Sequence, residues 1–248
     1  MKEQDVLNLA VEIGADMLRS GAEVYRVEQS ISYICRAYGM TQTDVFVIPS
    51  SIVTTVCKNE NYYTKTRRVA EREINLGKLD RLNSLSRYLC SCTPEREEAY
   101  SRLNEVKEEQ GFPSWFLVLI VGFVGSSLTM FFGGSLIDAA LAFPIGIIMK
   151  IIYNIMEKYE ANFLFLNIVG GFITAAGAEL LGYAGLTQNV DAITIGILMN
   201  LVPGIAITNG MRDMIGGDFN AALHRFLEAL LIATGIALGA SFALLTIR

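Results

Sequence analysis

Apolar positions follow two different patterns along the chain, and the pattern changes near residue 111. Within 4–20 they recur at helical spacing and Gly21 follows, which predicts an amphipathic helix. A second helix is predicted over 22–38, short β-rich runs over 45–48, 52–57 and 62–67, and further helices over 76–90 and 94–109. This order of elements predicts an α+β domain over residues 1–110.

Beyond residue 110 long apolar segments replace these patterns. No charged residue lies between Gln110 and Asp138, and at 1.5 Å per residue that is enough to cross a bilayer core of about 30 Å. Five membrane spans are predicted, at about 113–133, 136–156, 161–183, 191–211 and 226–247. The predicted fold is therefore an α-helical membrane protein with about five transmembrane helices over 111–248 and an N-terminal cytosolic α+β domain.

Charge and glycine content support this division. Residues 1–111 hold 15 of the 20 Lys and Arg and 17 of the 25 Asp and Glu, whereas 18 of the 22 glycines lie at or after Gly111. A net charge of −5 without basic clusters argues against nucleic acid as a partner. Four cysteines with one histidine give little support for a metal site, and no cofactor motif is present, so we expect neither metal nor cofactor.

The orientation of the spans follows from positive charges in and beside their connections. The regions of the 2–3 and 4–5 connections hold four basic residues, Lys150, Lys158, Arg212 and Arg225, whereas the 1–2 and 3–4 connections hold none and only the terminal Arg248 lies on their side. The N-terminus also meets charge every few residues and does not resemble a signal peptide. We therefore expect the N-terminus in the cytoplasm and, with five spans, the C-terminus outside.

The segment from Asn200 to Asp213 is the most informative one for function. Proline lacks a backbone donor and glycine weakens the next turn, so the fourth span is predicted to break at Pro203-Gly204. Transporters bind polar substrates at such breaks. The substrate-binding candidates are Asn200, Pro203, Gly204, Thr208, Asn209, Arg212 and Asp213. A plain proline kink is the alternative, and Asp213 could simply neutralise Arg212 in an interfacial ion pair.

Carboxylates inside predicted spans are candidates for proton coupling, because charge is costly there. Glu179, Glu228 and Asp138 meet this criterion. Each has a simpler alternative: Glu179 and Glu228 could lie near the ends of their spans, and Asp138, like Asp191, could cap a helix. A packing role without chemistry is also predicted for Gly235-x-x-x-Gly239 and Gly122-x-x-x-Ser126, whose small residues let helices, including those of a partner, approach closely.

In the first domain Glu23, Arg26 and Glu28 form the only charge cluster that we single out. They could be functional, but an exposed helix face would carry the same charges, and this solvated face is the favoured interpretation. No nucleophile–base pair or phosphate loop stands out. The sequence therefore gives little support for enzyme activity.

Two segments resemble one known family. Gly21-Ala22-Glu23-Val24-Tyr25-Arg26-Val27-Glu28 and Val202-Pro203-Gly204-Ile205-Ala206-Ile207-Thr208-Asn209, followed by Arg212-Asp213, Gly217-Asp218, Arg225 and Glu228, are similar to threonine/serine exporters of the ThrE type. The resemblance implies a secondary exporter of the bacterial inner membrane for threonine and serine or for dicarboxylates such as succinate. The complete family form has about ten spans, so five imply the longer component of a split exporter with a short multi-pass partner.

The predicted function is thus a subunit of a gradient-driven exporter that acts on a small molecule within membrane lipid, with possible higher oligomers. The alternatives are a membrane sensor or a membrane-anchored enzyme that uses the cytosolic domain. Five spans exceed what an anchor requires, which disfavours the enzyme.

Overall fold

A computed structural model of the chain describes residues 1–69, 74–108 and 111–247. By their contacts the residues fall into two compact units. The first comprises Met1–Glu109 together with Ile205–Phe226, and the second comprises Gln110–Gly204 together with Leu227–Arg248. The sequence predicted a division near residue 110 but did not predict that a segment from the second half would belong to the first unit.

The first unit contains four helices before residue 109, namely α1 (Glu3–Arg19), α2 (Val24–Ala37), α3 (Leu76–Cys92) and α4 (Arg96–Glu108). Its strands are β1 (Gln42–Ile48), β2 (Ser51–Lys58) and β3 (Asn61–Arg68). Each of these elements was predicted within a few residues of its observed bounds. The α+β architecture of this region is therefore confirmed among the described residues.

The three strands form an antiparallel meander in the order β1-β2-β3. Asn59 and Glu60 both adopt positive φ in the β2–β3 turn, the conformation that a two-residue hairpin turn requires. In the central strand Ile52, Thr54 and Val56 are fully buried on one face, as the alternation of a half-covered sheet demands. That face packs with α1 and α2 to form the core of the unit, which includes Leu9, Ile13, Ile31, Ile34, Leu82 and Leu103.

The second unit is built from helices. It contains α5 (Ser114–Phe131), α6 (Leu136–Lys158), α7 (Phe163–Tyr183), α8 (Val190–Leu198) and most of α10 (Phe219–Ile247). The remaining helix, α9 (Gly204–Ile215), belongs to the first unit from Ile205 onward. Within the described residues four helices, α5, α6, α7 and α10, are long and apolar enough to cross a membrane.

The predicted fourth span, 191–211, is interrupted in the structure. Its residues divide between α8, which has nine residues, and α9, which follows a non-helical stretch over 199–203. Nine helical residues rise only about 14 Å, which is less than the apolar core of a bilayer. The cause is local, since Pro203 directly precedes α9 and the residue before a proline avoids helical geometry. The break at Pro203-Gly204 is confirmed.

Glycines allow the helices of the second unit to pack at backbone distance. A Cβ at Gly171 of α7 would lie 2.5 Å from the carbonyl oxygen of Ile236 in α10, and one at Gly239 would overlap the carbonyl oxygen of Ile168. Gly235 also faces α7, with the carbonyl oxygen of Leu164 3.1 Å from its ideal Cβ position. The Gly235-x-x-x-Gly239 pair thus serves packing, as predicted, but the helix it faces is α7 of the same chain.

Candidate functional site

The connection between α1 and α2 is a tight turn whose backbone groups become hydrogen-bonding partners. Gly21 adopts a φ of +97°, which glycine tolerates better than other residues, and Ala22 is fully buried. Val24 is the first residue of α2, so its N–H has no acceptor within the helix. The turn therefore offers a free donor beside the carbonyl oxygens of Gly21 and Ala22.

The segment 205–226 satisfies these groups. Asp213 accepts a hydrogen bond from the N–H of Val24 at 3.1 Å, Arg225 donates to the carbonyl oxygen of Ala22 at 2.7 Å, and Asn209 donates to that of Gly21 at 2.8 Å. All these contacts lie within the first unit. Three side chains of one segment are thus matched to three backbone groups of one turn.

Two of these side chains, Asp213 and Arg225, also form a buried ion pair with each other. Nε of Arg225 lies 2.8 Å from a carboxylate oxygen of Asp213, and the two residues are 5% and 0% exposed. Each partner also bonds the backbone of the α1–α2 turn, so the desolvated charges retain hydrogen bonds. Such a pair is costly to break, because removal of one partner leaves the other charge buried and uncompensated.

Glu23 supplies the second carboxylate of the cluster. It is 3% exposed, hydrogen-bonded by Nη1 of Arg212, and lies 3.4 Å from Nε of Arg26. The solvated-face interpretation is therefore wrong for Glu23. The alternative in which Asp213 neutralises Arg212 is wrong as well, because Arg212 pairs with Glu23 and Asp213 pairs with Arg225. We call the set Glu23, Asn209, Arg212, Asp213 and Arg225 the polar cluster.

Burial and hydrogen bonds shift the two carboxyl groups in opposite directions. Burial raises the pKa of Glu23, but its own backbone N–H and the Arg212 guanidinium outweigh that effect, so the pKa lies below its ordinary value. Burial dominates for Asp213, and its pKa lies above the ordinary value although Arg225 and the Val24 N–H act against the rise. Glu28, which accepts from the N–H of Val47 at 2.9 Å, also has a raised pKa because it is partly buried.

The predicted substrate-binding residues do not come together as one group. Asn200, Pro203 and Gly204 lie at the helix break in the second unit, and Nδ2 of Asn200 donates to the carbonyl oxygen of Ile197 at 3.1 Å. Asn209, Arg212 and Asp213 belong to the polar cluster of the first unit. Thr208 is exposed on α9.

Asp138 forms a separate hydrogen-bonded cluster at the start of α6. One of its oxygens accepts from the N–H and hydroxyl of Ser135 at 2.7 and 2.8 Å and from Nδ2 of Asn189 at 2.8 Å, and the other accepts from the hydroxyl of Thr187. The predicted capping role is confirmed, since Ser135 and Asp138 form a reciprocal capping box. Asp191 only occupies the first turn of α8, where it is exposed.

The other two proton-coupling candidates lie on different helices. Glu179 is 8% exposed and lies on α7 among small buried residues such as Ala175 and Ala178. Glu228 is half-buried on α10. It belongs to the second unit, two residues after Phe226, where the first unit ends. Among the described residues no group of three or more His, Cys, Asp or Glu side chains is arranged to hold a metal ion.

The pairing of the two segments was missed because local sequence patterns carry no information on contacts across 189 residues. One signal was available. The segments that resembled a single family, around Glu23 and around Arg212-Asp213, contain opposite charges that a low-dielectric site would pair. Both segments meet in the polar cluster.

Several apolar helices of spanning length are typical of a multi-pass membrane protein. Residues 8–247 match the family described as "Putative threonine/serine exporter". The chain belongs to this threonine/serine exporter family, as the sequence motifs indicated.

The sequences of several relatives align with almost the whole length of this chain. It is 22% identical to "Probable succinate transporter subunit YjjP" of Klebsiella aerogenes over 98% of this chain and 94% of that protein, and 23% identical to the protein of the same name from Escherichia coli over 98% and 95%. It is 26% identical to "Threonine/serine exporter" of Corynebacterium glutamicum over 94% of this chain, which corresponds to 50% of that protein. No solved structure matches the chain.

Proposed function

We propose that this chain is a subunit of a gradient-driven exporter in a bacterial inner membrane. Its substrates are small amino acids such as threonine and serine, or small dicarboxylates such as succinate. The observation that carries the proposal is the interruption between α8 and α9 in a chain of this exporter family. A broken helix exposes backbone carbonyls at the end of one half and N–H groups at the start of the next, which suits a polar or anionic substrate.

The helix break supplies the proposed substrate contacts. Asn200, Pro203 and Gly204 lie in the second unit between the end of α8 and the start of α9 and are the proposed contacts there, whereas Thr208, in the first unit, is proposed from its sequence pattern alone. Asn209, Arg212 and Asp213 contribute to transport through the polar cluster, because their polar atoms already bond the α1–α2 turn and Glu23. Glu179 and Glu228 are the proposed proton-coupling residues.

The proposed topology keeps the N-terminus in the cytoplasm and the C-terminus outside. Because α9 belongs to the same unit as the N-terminal domain, the chain must return to the cytoplasmic side between α7 and α9. The nine residues of α8 rise about 14 Å, and residues 199–203 follow as hydrogen-bonded turns. We propose that the chain makes this return through α8 and these turns rather than through one continuous spanning helix.

A partner subunit completes the exporter. Two relatives that this chain covers almost end to end are named as transporter subunits, and the chain corresponds to half of the Corynebacterium exporter. A protein named as a subunit acts together with at least one other chain. We propose a short multi-pass protein of the same family in this role.

Reconstitution tests the function directly. The chain would be placed in proteoliposomes with and without the protein encoded beside it, loaded with labelled serine, threonine or succinate, and efflux followed with and without an imposed proton gradient. We expect efflux of at least one substrate from the complete complex, with a pH dependence that is lost in Glu179→Gln. Absence of efflux for all three substrates from a folded complex would contradict the proposal.

A cavity in the first unit favours ligand sensing as a second candidate function. It measures about 270 Å³ and is lined by residues of both charges and an aromatic ring: Asn8, Val11, Glu12, Lys65, Arg67 and Tyr100. Opposite charges around one cavity suit a zwitterion such as an amino acid. Calorimetric titration of the full chain with serine and succinate tests this, with Arg67→Gln as the variant. A sensor would bind serine without transporting it.

A further inference from the structure

We infer that Glu23, Asp213 and Arg225 are positioning residues for transport. They hold the segment 205–226 on the N-terminal domain, so that the segment and the domain move as one body while substrate is carried. The inference rests on the proposed export function, because transport is its main readout. It assigns the N-terminal domain a mechanical role in that function.

The segment 205–226 is connected to the second unit at both of its ends. The segment 205–226 belongs to the first unit, yet the residues on both sides of it, Gly204 and Leu227, belong to the second. Gly204 directly follows the helix break, and Leu227 lies on the same helix, α10, as the last predicted span. A displacement of the segment is therefore passed through covalent bonds to the helix break and to the last membrane helix.

A buried ion pair attaches the segment to the N-terminal domain. Asp213 and Arg225 are almost completely buried, and each bonds both the other and the α1–α2 turn. Detachment would remove the acceptor of the Val24 N–H and the donor to the carbonyl oxygen of Ala22. While the turn stays buried these groups would be left unsatisfied, which is unfavourable, so the attached state should persist through the cycle.

Apolar contacts fasten the same segment. Ala221 is 2% exposed and lies in the hydrophobic core of the first unit, among residues of α1, α2 and the sheet. Gly210 packs on Arg225 and Phe226, with the nearest of their atoms 3.4 Å and 3.5 Å from its ideal Cβ position. The segment thus folds back on itself and on the domain, as a part of a rigid body does.

Cross-linking distinguishes a fixed segment from one that detaches. Glu23→Cys and Arg212→Cys would be combined in a Cys92→Ser background, since Cys92 is the exposed native thiol among the described residues. The complete exporter would then be treated in vesicles with a short bifunctional thiol reagent. Without the reagent we expect maximal flux to fall about tenfold at unchanged KM, which corresponds to about 1.4 kcal/mol.

After cross-linking we expect maximal flux to recover, because the covalent tie replaces the ion pair. Inactive cross-linked exporter would show that the segment must detach, and full activity before cross-linking would show that the ion pair has no role; either result overturns the inference. The matched control is Arg102→Gln, which removes an exposed ion pair with Glu98 in the same domain and should leave flux unchanged.

A distance measurement separates this inference from the export function. Spin labels at the exposed positions Tyr33 on α2 and Ile215 on α9 should give one distance distribution with and without substrate or proton gradient. Labels at Tyr33 and Leu245 show whether the same conditions change the distance between α2 and the end of α10. A change for the first pair would overturn the inference even if export is established. An unchanged first pair beside a changed second pair supports it even if the substrate proves to be a different compound.

Discussion

A carboxylate oxygen of Asp213 accepts a hydrogen bond from the backbone N–H of Val24, a residue 189 positions away in the sequence. Asp213 thereby does for α2 what a capping side chain does at an ordinary helix start, and its negative charge lies at the positive end of the helix dipole. Glu23, the residue in the N-cap position itself, makes no capping bond and instead pairs with Arg212. The start of α2 therefore depends on a distant segment.

Replacing Asp213 by asparagine should lower the stability of the protein. An amide can still accept from Val24, but it leaves the guanidinium of Arg225 buried without a counter-charge, and we expect a loss of about 3 kcal/mol. Thermal unfolding of the detergent-solubilised chain measures the effect. The double variant Asp213→Asn/Arg225→Met should lose less than the sum of the single variants, because it also removes the orphaned charge. Strict additivity would contradict the pairing.

Glu23 should contribute an acid-sensitive component of stability. Its folded pKa lies below the ordinary value of about 4.3, so its contribution is complete above that value and disappears as the pH falls through the lower folded pKa. Asp213 has a raised pKa, so its contribution to the free energy of unfolding changes with pH in the opposite direction. Glu23→Gln should therefore flatten the loss of stability below about pH 4, measured by chemical unfolding at a series of pH values. If the stability of Glu23→Gln fell with decreasing pH as steeply as that of the unmodified protein, this assignment would be refuted.

The sequence predicted local structure well and long-range pairing poorly. Helical spacing over 4–20 corresponds to α1 over Glu3–Arg19, and the β-rich runs correspond to the three strands, because periodicity records which face of an element is buried. The break at Pro203 was predictable because proline acts on its neighbours. The attachment of 205–226 to the N-terminal domain was not, since α9 carries enough apolar residues to resemble a membrane span while its buried polar residues face another segment.

Asp138→Asn distinguishes a structural carboxylate from a proton carrier. Asp138 accepts four hydrogen bonds, from Ser135, Thr187 and Asn189, whereas an asparagine would turn an NH₂ group towards at least one of these donors. We expect a loss of about 1–3 kcal/mol in stability with little change in the pH profile of flux. Asp191→Asn is the matched control, because Asp191 is exposed in the first turn of α8. Normal stability with an altered pH profile would favour proton coupling.

Gly239→Ala should disrupt the packing of α10 on α7. The added Cβ would overlap the carbonyl oxygen of Ile168, and a backbone atom inside a helix cannot move aside as a side-chain tip can. We expect a loss of about 1–3 kcal/mol in the stability of the solubilised protein. Gly111→Ala is the control, since no atom lies within 4 Å of its ideal Cβ position. Equal stability of the two variants would exclude the close α7–α10 contact.

Arg212→Lys separates the two roles that Arg212 can have in export. If Arg212 serves the polar cluster, lysine keeps the charge that pairs with Glu23, and because the arginine side chain is half-exposed the loss of maximal flux should stay within about threefold at unchanged KM. If Arg212 binds a substrate carboxylate with both nitrogens, loss of the planar fork should raise KM strongly. Arg212→Gln is the companion variant, since it removes the charge in either case. Flux kinetics with serine and succinate measure the difference, and a KM raised tenfold or more in Arg212→Lys would assign Arg212 to the substrate site.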